Sequence, residues 1–174
     1  MKKITELTEL VAIAGGDWIP IVDVSDPGTG TTKKIKASNL SKTISFGLTI
    51  YAPISQVIAG TAIVYTCPMP AALAGYNLTY VQISCDTKST SGLITVQVER
   101  GHQASPTSAY AYVNSLSTVV SIDANEYDSD TAATPYVIDT NYDDISEGDK
   151  FRFTVPNAGT GAQGLSIVCT FTLP

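Results

Sequence analysis

The chain has 174 residues, of which 44% are hydrophobic and 15% are charged, and its net charge is −6. This length fits one domain with a small appendage, the hydrophobic fraction excludes a disordered chain, and the negative charge would repel a nucleic-acid backbone. Residues 1–47 carry six lysines and five acidic residues, whereas residues 48–174 carry four basic and eleven acidic residues. The shift in charge predicts two functional parts with these bounds.

No secretion signal is expected at the N-terminus, because Glu6 and Glu9 interrupt the stretch that follows its lysines. No membrane insertion is expected either, since prolines and glycines break the uncharged run 43–85 into short pieces. Synthesis in a cytoplasm is therefore predicted. The three cysteines, an odd number, fit neither a disulfide framework nor a zinc motif. We expect buried thiols and no metal or other cofactor.

The first part contains a predicted hairpin. Ile4, Leu7, Leu10 and Ile13 recur every three residues, which fits a short helix or an extended arm laid on a partner. Residues 18–24 form a predicted strand, with Pro20 marking an edge position. An Asp-Pro-Gly turn leads to a return strand over 31–36. Ser38 or Asn39 then caps a predicted short helix that includes Leu40 and Ile44. A lone hairpin is marginally stable in water, so this module should need a docking surface.

From residue 48 the pattern changes to many short strands separated by turn residues. The strands are predicted at 48–51, 54–58, 61–67, 78–85, 92–99, 109–113, 116–122, 135–139, 150–155 and 164–173. Hydrophobic residues alternate with polar ones, most clearly over 94–99 and over 165–173. Such alternation is typical of antiparallel sheets with one face in water. The predicted fold is all-β, an antiparallel sandwich of jelly-roll type.

No residue pattern predicts catalysis. His102, the one histidine, lies in a predicted exposed loop without a recognisable nucleophile motif. The acidic run from Asp123 departs from the EF-hand pattern, which leaves a solvated loop or an irregular calcium site as alternatives. The sequence Glu147-Gly148-Asp149 is predicted to form a tight turn before a strand with Phe151, Phe153 and Val155 in the core.

Tyrosines are frequent in the second half of the chain. On loops they offer large, rigid contact areas, although they are also ordinary strand residues. The candidate contacts with a partner or a glycan are Tyr110, Tyr112, Tyr127 and Tyr136.

The first 45 residues carry the motifs K-I-T-E-L, G-D-W-I-P-I-V-D-V-S-D and T-K-K-I-K-A-S-N-L. Together they resemble an attachment module at the N-terminus of bacteriophage virion proteins, found in tail fibres and in head-fibre or capsid-decoration proteins. The later D-I-S-E-G-D-K-F-R-F-T-V and G-L-S-I-V-C-T-F resemble the final strands of jelly-roll domains on phage surface proteins. The candidate attachment residues are Ile4, Leu7, Trp18, Pro20, Val22, Asp23, Lys33, Lys34, Ile35 and Leu40.

The resemblance implies a non-enzymatic structural protein on the particle surface. Its partners would be capsid or other virion proteins, and it would form a homotrimer. A second hypothesis is a tail-fibre or baseplate protein that binds a receptor or a host-surface glycan. A third is an enzyme such as a depolymerase or an esterase, which only scattered carboxylates support.

Overall fold

The computed structural model describes residues 18–22, 32–36 and 42–174. The chain divides into two compact units, Met1–Lys42 and Thr43–Pro174. This division falls five residues before the predicted boundary, because residues 43–47 begin the first long strand of the second unit. The strands are β1 (Trp18–Val22), β2 (Thr32–Lys36), β3 (Thr43–Gln56), β4 (Gly60–Pro68), β5 (Asn77–Ser84), β6 (Ile94–His102), β7 (Ala111–Asn114), β8 (Leu116–Thr118), β9 (Val120–Ile122), β10 (Val137–Ile138), β11 (Lys150–Ala158) and β12 (Gln163–Thr172).

The predicted all-β, antiparallel class is confirmed. Among the described residues the helical structure consists of one 3-10 turn, Ala71–Leu73. No helix in these residues is long and apolar enough to cross a membrane. The predicted short helix does not reach Ile44, because Ile44 lies in β3.

The first unit contains one antiparallel pair in its described residues. β1 pairs with β2, with Trp18 opposite Lys36 and Val22 opposite Thr32. Pro20 is opposite Lys34. Both strands of a two-stranded sheet are edges, and an edge is where a proline is tolerated.

The second unit is built on two main sheets. In one sheet the strand order is β3-β12-β5, and in the other it is β4-β11-β6-β7 with β9 also paired to β6. β8 and β10 form a separate small pair. All of these pairings are antiparallel.

Side chains from both main sheets share one hydrophobic core. Phe151 and Phe153 of β11 and Phe171 of β12 are fully buried, and the rings of Phe151 and Phe171 meet edge to face with centroids 5.5 Å apart. Each fully buried side chain of this size contributes about 1.5–3 kcal/mol through burial alone. The second unit therefore has a core of its own.

The alternation predicted for β6 and β12 is confirmed in part. Ile94, Val96 and Val98 are buried as predicted, but Thr95 is buried too, because its hydroxyl accepts hydrogen bonds from Asn157. Leu165, Ile167, Cys169 and Phe171 are buried. Leu173, predicted to face inward, follows the end of β12 and is exposed.

The predicted strands 48–51 and 54–58 are one strand, β3. The ladder with β12 shifts register there: Tyr51 pairs with Leu165, and Gln56 with Gln163. Four residues of β3 thus face one of β12, which is a large bulge. Ile54 lies in this bulge with a φ of 64° and its side chain 85% exposed. The proline at position 53 falls at the bulge, where no ladder donor is needed.

Candidate functional site

The predicted attachment residues lie partly within the described structure. Six of them belong to the β1–β2 hairpin: Trp18, Pro20, Val22, Lys33, Lys34 and Ile35. Ile4, Leu7, Asp23 and Leu40 lie outside the described residues. The register places Lys33 opposite Ile21 and Ile35 opposite Ile19. The hairpin thus brings into one small sheet residues that are separated in the sequence by a turn.

Tyr110 and Tyr112 are neighbours at the start of β7, with ring centroids 6.1 Å apart. Both are half-buried. The Lys150 ammonium lies 4.2 Å from the Tyr110 ring centroid, and the Arg152 guanidinium lies 3.8 Å from that of Tyr112. Cation–π contacts of this kind contribute about 0.5–1 kcal/mol each at exposed sites. The pair therefore forms a surface of two aromatic rings and two cations, which we call the tyrosine–cation surface (Tyr110, Tyr112, Lys150, Arg152).

Two neighbours hold the arginine end of this surface in place. Arg152 Nε donates to Glu99 Oε2 at 2.8 Å, and this hydrogen bond raises the pKa of Arg152. Gly101 lies beneath the Tyr112 ring, so close that a Cβ atom at position 101 would be 2.5 Å from a ring carbon. A larger residue at 101 would displace the ring. The surface can offer stacking to a planar or sugar-like group, and Lys150 can offer positive charge to an anionic one, since Arg152 is paired with Glu99.

Tyr136 lies elsewhere, against β5. Its hydroxyl accepts a hydrogen bond from the Val81 N–H at 3.0 Å, and its ring meets Tyr80 edge to face at 6.5 Å. The Tyr80 hydroxyl donates to Asp130 at 3.3 Å. Burial, with Asp130 as the next cause, raises the pKa of Tyr80. The two rings and Asp130 line a cleft of about 180 Å³.

Tyr127, the fourth predicted tyrosine, stands apart from the others. Its side chain is more than half exposed, and the Lys88 ammonium lies 5.8 Å from its ring centroid. Its carbonyl accepts the Cys85 N–H and ties the loop to the end of β5. The structure therefore brings together Tyr110 and Tyr112 but not Tyr127 or Tyr136.

His102 is exposed, as predicted, but it ends a strand instead of lying in a loop. It is the last residue of β6, and its Nδ1 lies 2.6 Å from Oδ1 of Asp149, whose side chain is fully buried. The other carboxylate oxygen of Asp149 accepts the Ser146 N–H at 2.8 Å and lies 4.0 Å from Nε of Arg100. The Arg100 guanidinium also donates to the carbonyl of Asp144 at 2.6 Å and to its carboxylate.

This cluster of Arg100, His102, Asp144 and Asp149 joins the end of β6 to the turn before β11. The turn is as predicted, with Gly148 at a φ of 82°. A buried carboxylate that holds Nδ1 of a half-exposed imidazole is the orientation used in general-base catalysis. Within the described residues, however, the His102 side chain is hydrogen-bonded to Asp149 through Nδ1, and neither ring nitrogen is bonded to a hydroxyl or a thiol. The geometry describes a tether between two elements rather than an activated nucleophile.

The sequence did not point to this cluster. His102 and Asp149 are 47 positions apart. The available signals were local: a histidine three residues after the predicted strand 92–99, and an aspartate at the end of a tight turn. Neither pattern predicts that the side chains of His102 and Asp149 meet.

The acidic run uses its carboxylates to order its own loop. Asp123 accepts the Ala133 N–H at 2.8 Å, and Asp128 accepts the Asp130 N–H at 3.0 Å. Glu126 accepts from the Thr131 hydroxyl at 2.8 Å. Within the described ranges no three His, Cys, Asp or Glu residues are grouped to hold a metal ion.

The three cysteines differ in burial. Cys85 and Cys169 are buried, whereas Cys67 is half-buried on β4. Burial raises the pKa of all three thiols, that of Cys169 to about 12. Since the thiolate is the reactive form, burial and a raised pKa make Cys169 unreactive in the folded protein.

Comparison of the chain with protein-family models, with curated proteins and with solved structures finds no match in any of the three.

Proposed function

We propose that this protein is a non-enzymatic structural protein on a bacteriophage particle, of the capsid-decoration or head-fibre type. Residues 1–42 act as the virion-attachment module, and residues 43–174 form an exposed jelly-roll β-sandwich. The resemblance of the N-terminal motifs to virion attachment modules motivates this proposal. The observation that carries it is the division of the chain into a small hairpin unit and a larger unit with its own core.

The strand order supports a jelly roll. In that fold the first and last strands are neighbours in one sheet, and the second and penultimate strands are neighbours in the other. Counted from β3, the first strand pairs with the last, β12, and the second strand, β4, pairs with the penultimate strand, β11.

The unequal size of the two units supports an anchor and a displayed domain. A two-stranded sheet buries too little apolar surface to be stable alone in water. The second unit carries a continuous core drawn from both of its main sheets. A marginal module gains stability when it binds a partner, which suits attachment to a particle.

The test is to locate the protein on purified particles. Particles assembled with the full-length chain should carry it on their surface, as detected by labelled antibody and imaging, whereas a variant without residues 1–40 should be soluble but absent from particles. Trp18→Ala should reduce the amount per particle, with Val137→Ala, at an exposed position of the second unit, as the control. Equal incorporation of the truncated and full-length chains would refute the proposal.

A receptor- or glycan-binding protein of the tail fibre or baseplate is the second candidate. The tyrosine–cation surface favours it, because partly exposed aromatic rings stack on sugars and the Lys150 cation suits acidic sugars. On a glycan array, binding by the wild type that is lost in Tyr112→Ala would support this candidate. A copy number per particle that matches capsid symmetry, with no glycan bound, would favour decoration.

A further inference from the structure

The two main sheets of the second unit differ in charge. Every strand of the β3-β12-β5 sheet lacks Asp, Glu, Lys and Arg, whereas Glu99, Arg100, Lys150 and Arg152 all lie in the other sheet. Exposed sheet faces normally carry charges that keep them in water. We call this charge-free sheet, with its outer face and its β3 edge, the uncharged sheet.

Hydroxyl groups cover much of the outer face of the uncharged sheet. The hydroxyl oxygens of Ser45 on β3 and Thr170 on β12 are 2.7 Å apart. Those of Thr79 on β5 and Thr172 on β12 are 3.1 Å apart. Thr49 extends the row along β3 and is exposed. This face is therefore polar without being charged.

The β3 edge of the uncharged sheet leaves part of the core open. β3 pairs with β12 on one side, and on its other side it has no ladder within the described residues. Phe46 and Leu48 pack against the core but stay partly exposed, and Ile44 is 41% exposed. A long edge strand without charged residues is a ready template for pairing with another chain.

The opposite edge of the same sheet is covered by the chain itself. β5 makes bridges from Asn77 to Asp144 and from Ser84 to Asp128, and Tyr136 accepts a hydrogen bond from its middle. The loop that runs from β9 to β11 thus closes one edge. Within the described residues, the contrast singles out the β3 edge as the side without a strand partner.

We propose that the uncharged sheet is the surface on which copies of this chain associate. A hydroxyl both donates and accepts hydrogen bonds, so a hydroxyl face is complementary to itself. Residues 43–174 carry four basic and eleven acidic residues, so two copies repel each other at their charged surfaces. The uncharged sheet lets identical copies meet without that repulsion and covers the exposed part of the core. This inference rests on the described residues and does not depend on a place in a virion.

The experiment is to measure the mass of the full-length protein by light scattering and sedimentation over a wide range of concentrations. At the higher concentrations the wild type should have at least twice the 18.3 kDa chain mass. Thr49→Glu places a carboxylate of every copy on the shared surface. Because like charges brought together at an interface oppose association, the dissociation constant should rise about tenfold or more.

Two controls separate the surface from general effects. Thr49→Ser keeps the hydroxyl and should associate like the wild type. Thr107→Glu adds the same charge at an exposed position in the loop after β6, and it should also leave the mass unchanged. Circular dichroism should show the same β content in all variants.

A wild type that is monomeric at every concentration would overturn the proposal. A Thr49→Glu variant with the wild-type mass would also overturn it. The same holds if Thr107→Glu raises the dissociation constant as much as Thr49→Glu does. A monomer in which the β3 amides that point away from β12 are nevertheless protected from hydrogen exchange would show that the chain's own residues cover the edge, and would likewise overturn it.

Discussion

At the scale of single residues, burial controls the chemistry of the thiols. Cys169 is fully buried between the two main sheets, and burial raises its pKa from the ordinary 9.0 to about 12, with Cys67 as a smaller cause. The folded protein therefore keeps this proton at pH values where the unfolded chain has lost it. The stability from the protonated thiol is complete below pH 9 and falls as the pH rises towards 12.

We expect the free energy of unfolding to decrease with pH above about 9, with a slope from Cys169 of up to about 1.4 kcal/mol per pH unit. Denaturant titrations at several alkaline pH values would measure it for the wild type and for Cys169→Ala. The substitution lowers stability at every pH, but the slope should become shallower because the Cys169 thiol is removed. Lysines and tyrosines titrate equally in both proteins, so their contribution to the slope is the same. Parallel slopes for the two proteins would contradict the prediction.

At the scale of strands, position within a sheet decides how much a side chain contributes. β12 is the middle strand between β3 and β5, and its Phe171 is fully buried against Phe151 and Phe46. Phe46 stacks on Phe171 with centroids 5.5 Å apart but lies on the open β3 edge and stays half-buried. Phe46 and Phe171 are thus in contact with each other but differ in burial.

Phe171→Ala should lower the free energy of unfolding by about 3–5 kcal/mol, since it leaves a cavity in the core. At a protein concentration low enough for the chain to be monomeric, Phe46→Ala should cost less, about 1–2 kcal/mol, since part of the ring is then in contact with water. Urea unfolding followed by circular dichroism would compare them, with Ser45→Ala as an exposed control on the same strand. Equal losses for the two phenylalanine variants would mean that the β3 edge is covered in solution.

At the scale of the whole molecule, the two units have unequal means of stability. The described residues of the first unit form one hairpin, whereas the second unit holds a core and a tether between β6 and β11. The second unit should therefore fold without the first.

A chain that begins at Thr43 should give a cooperative thermal transition close to the main transition of the full-length protein. Scanning calorimetry would compare the two, and hydrogen exchange should show protected amides in β6, β11 and β12 of both. An unfolded or aggregated truncated chain would contradict the division between residues 42 and 43.

Much of the strand pattern could be predicted because it is local. Successive side chains of a strand point to opposite faces, so the alternation over β6 and β11 reveals both the strand and its buried side. The exceptions have non-local causes. Thr95 is buried because Asn157 provides a partner for its hydroxyl, and β3 is continuous because β12 lies beside it through the bulge.

The sequence by itself determined the all-β class, most strand positions, the turn at Gly148 and the burial of Phe151 and Phe153, since each depends on residues a few positions apart. Only the tertiary structure decided that His102 meets Asp149, that Tyr110 and Tyr112 share a surface with Lys150 and Arg152, and that one whole sheet is free of charge. The physical reason is that sheet partners are chosen across long stretches of chain, by the packing of complete faces. A pattern within one strand carries no information about which strand will lie beside it.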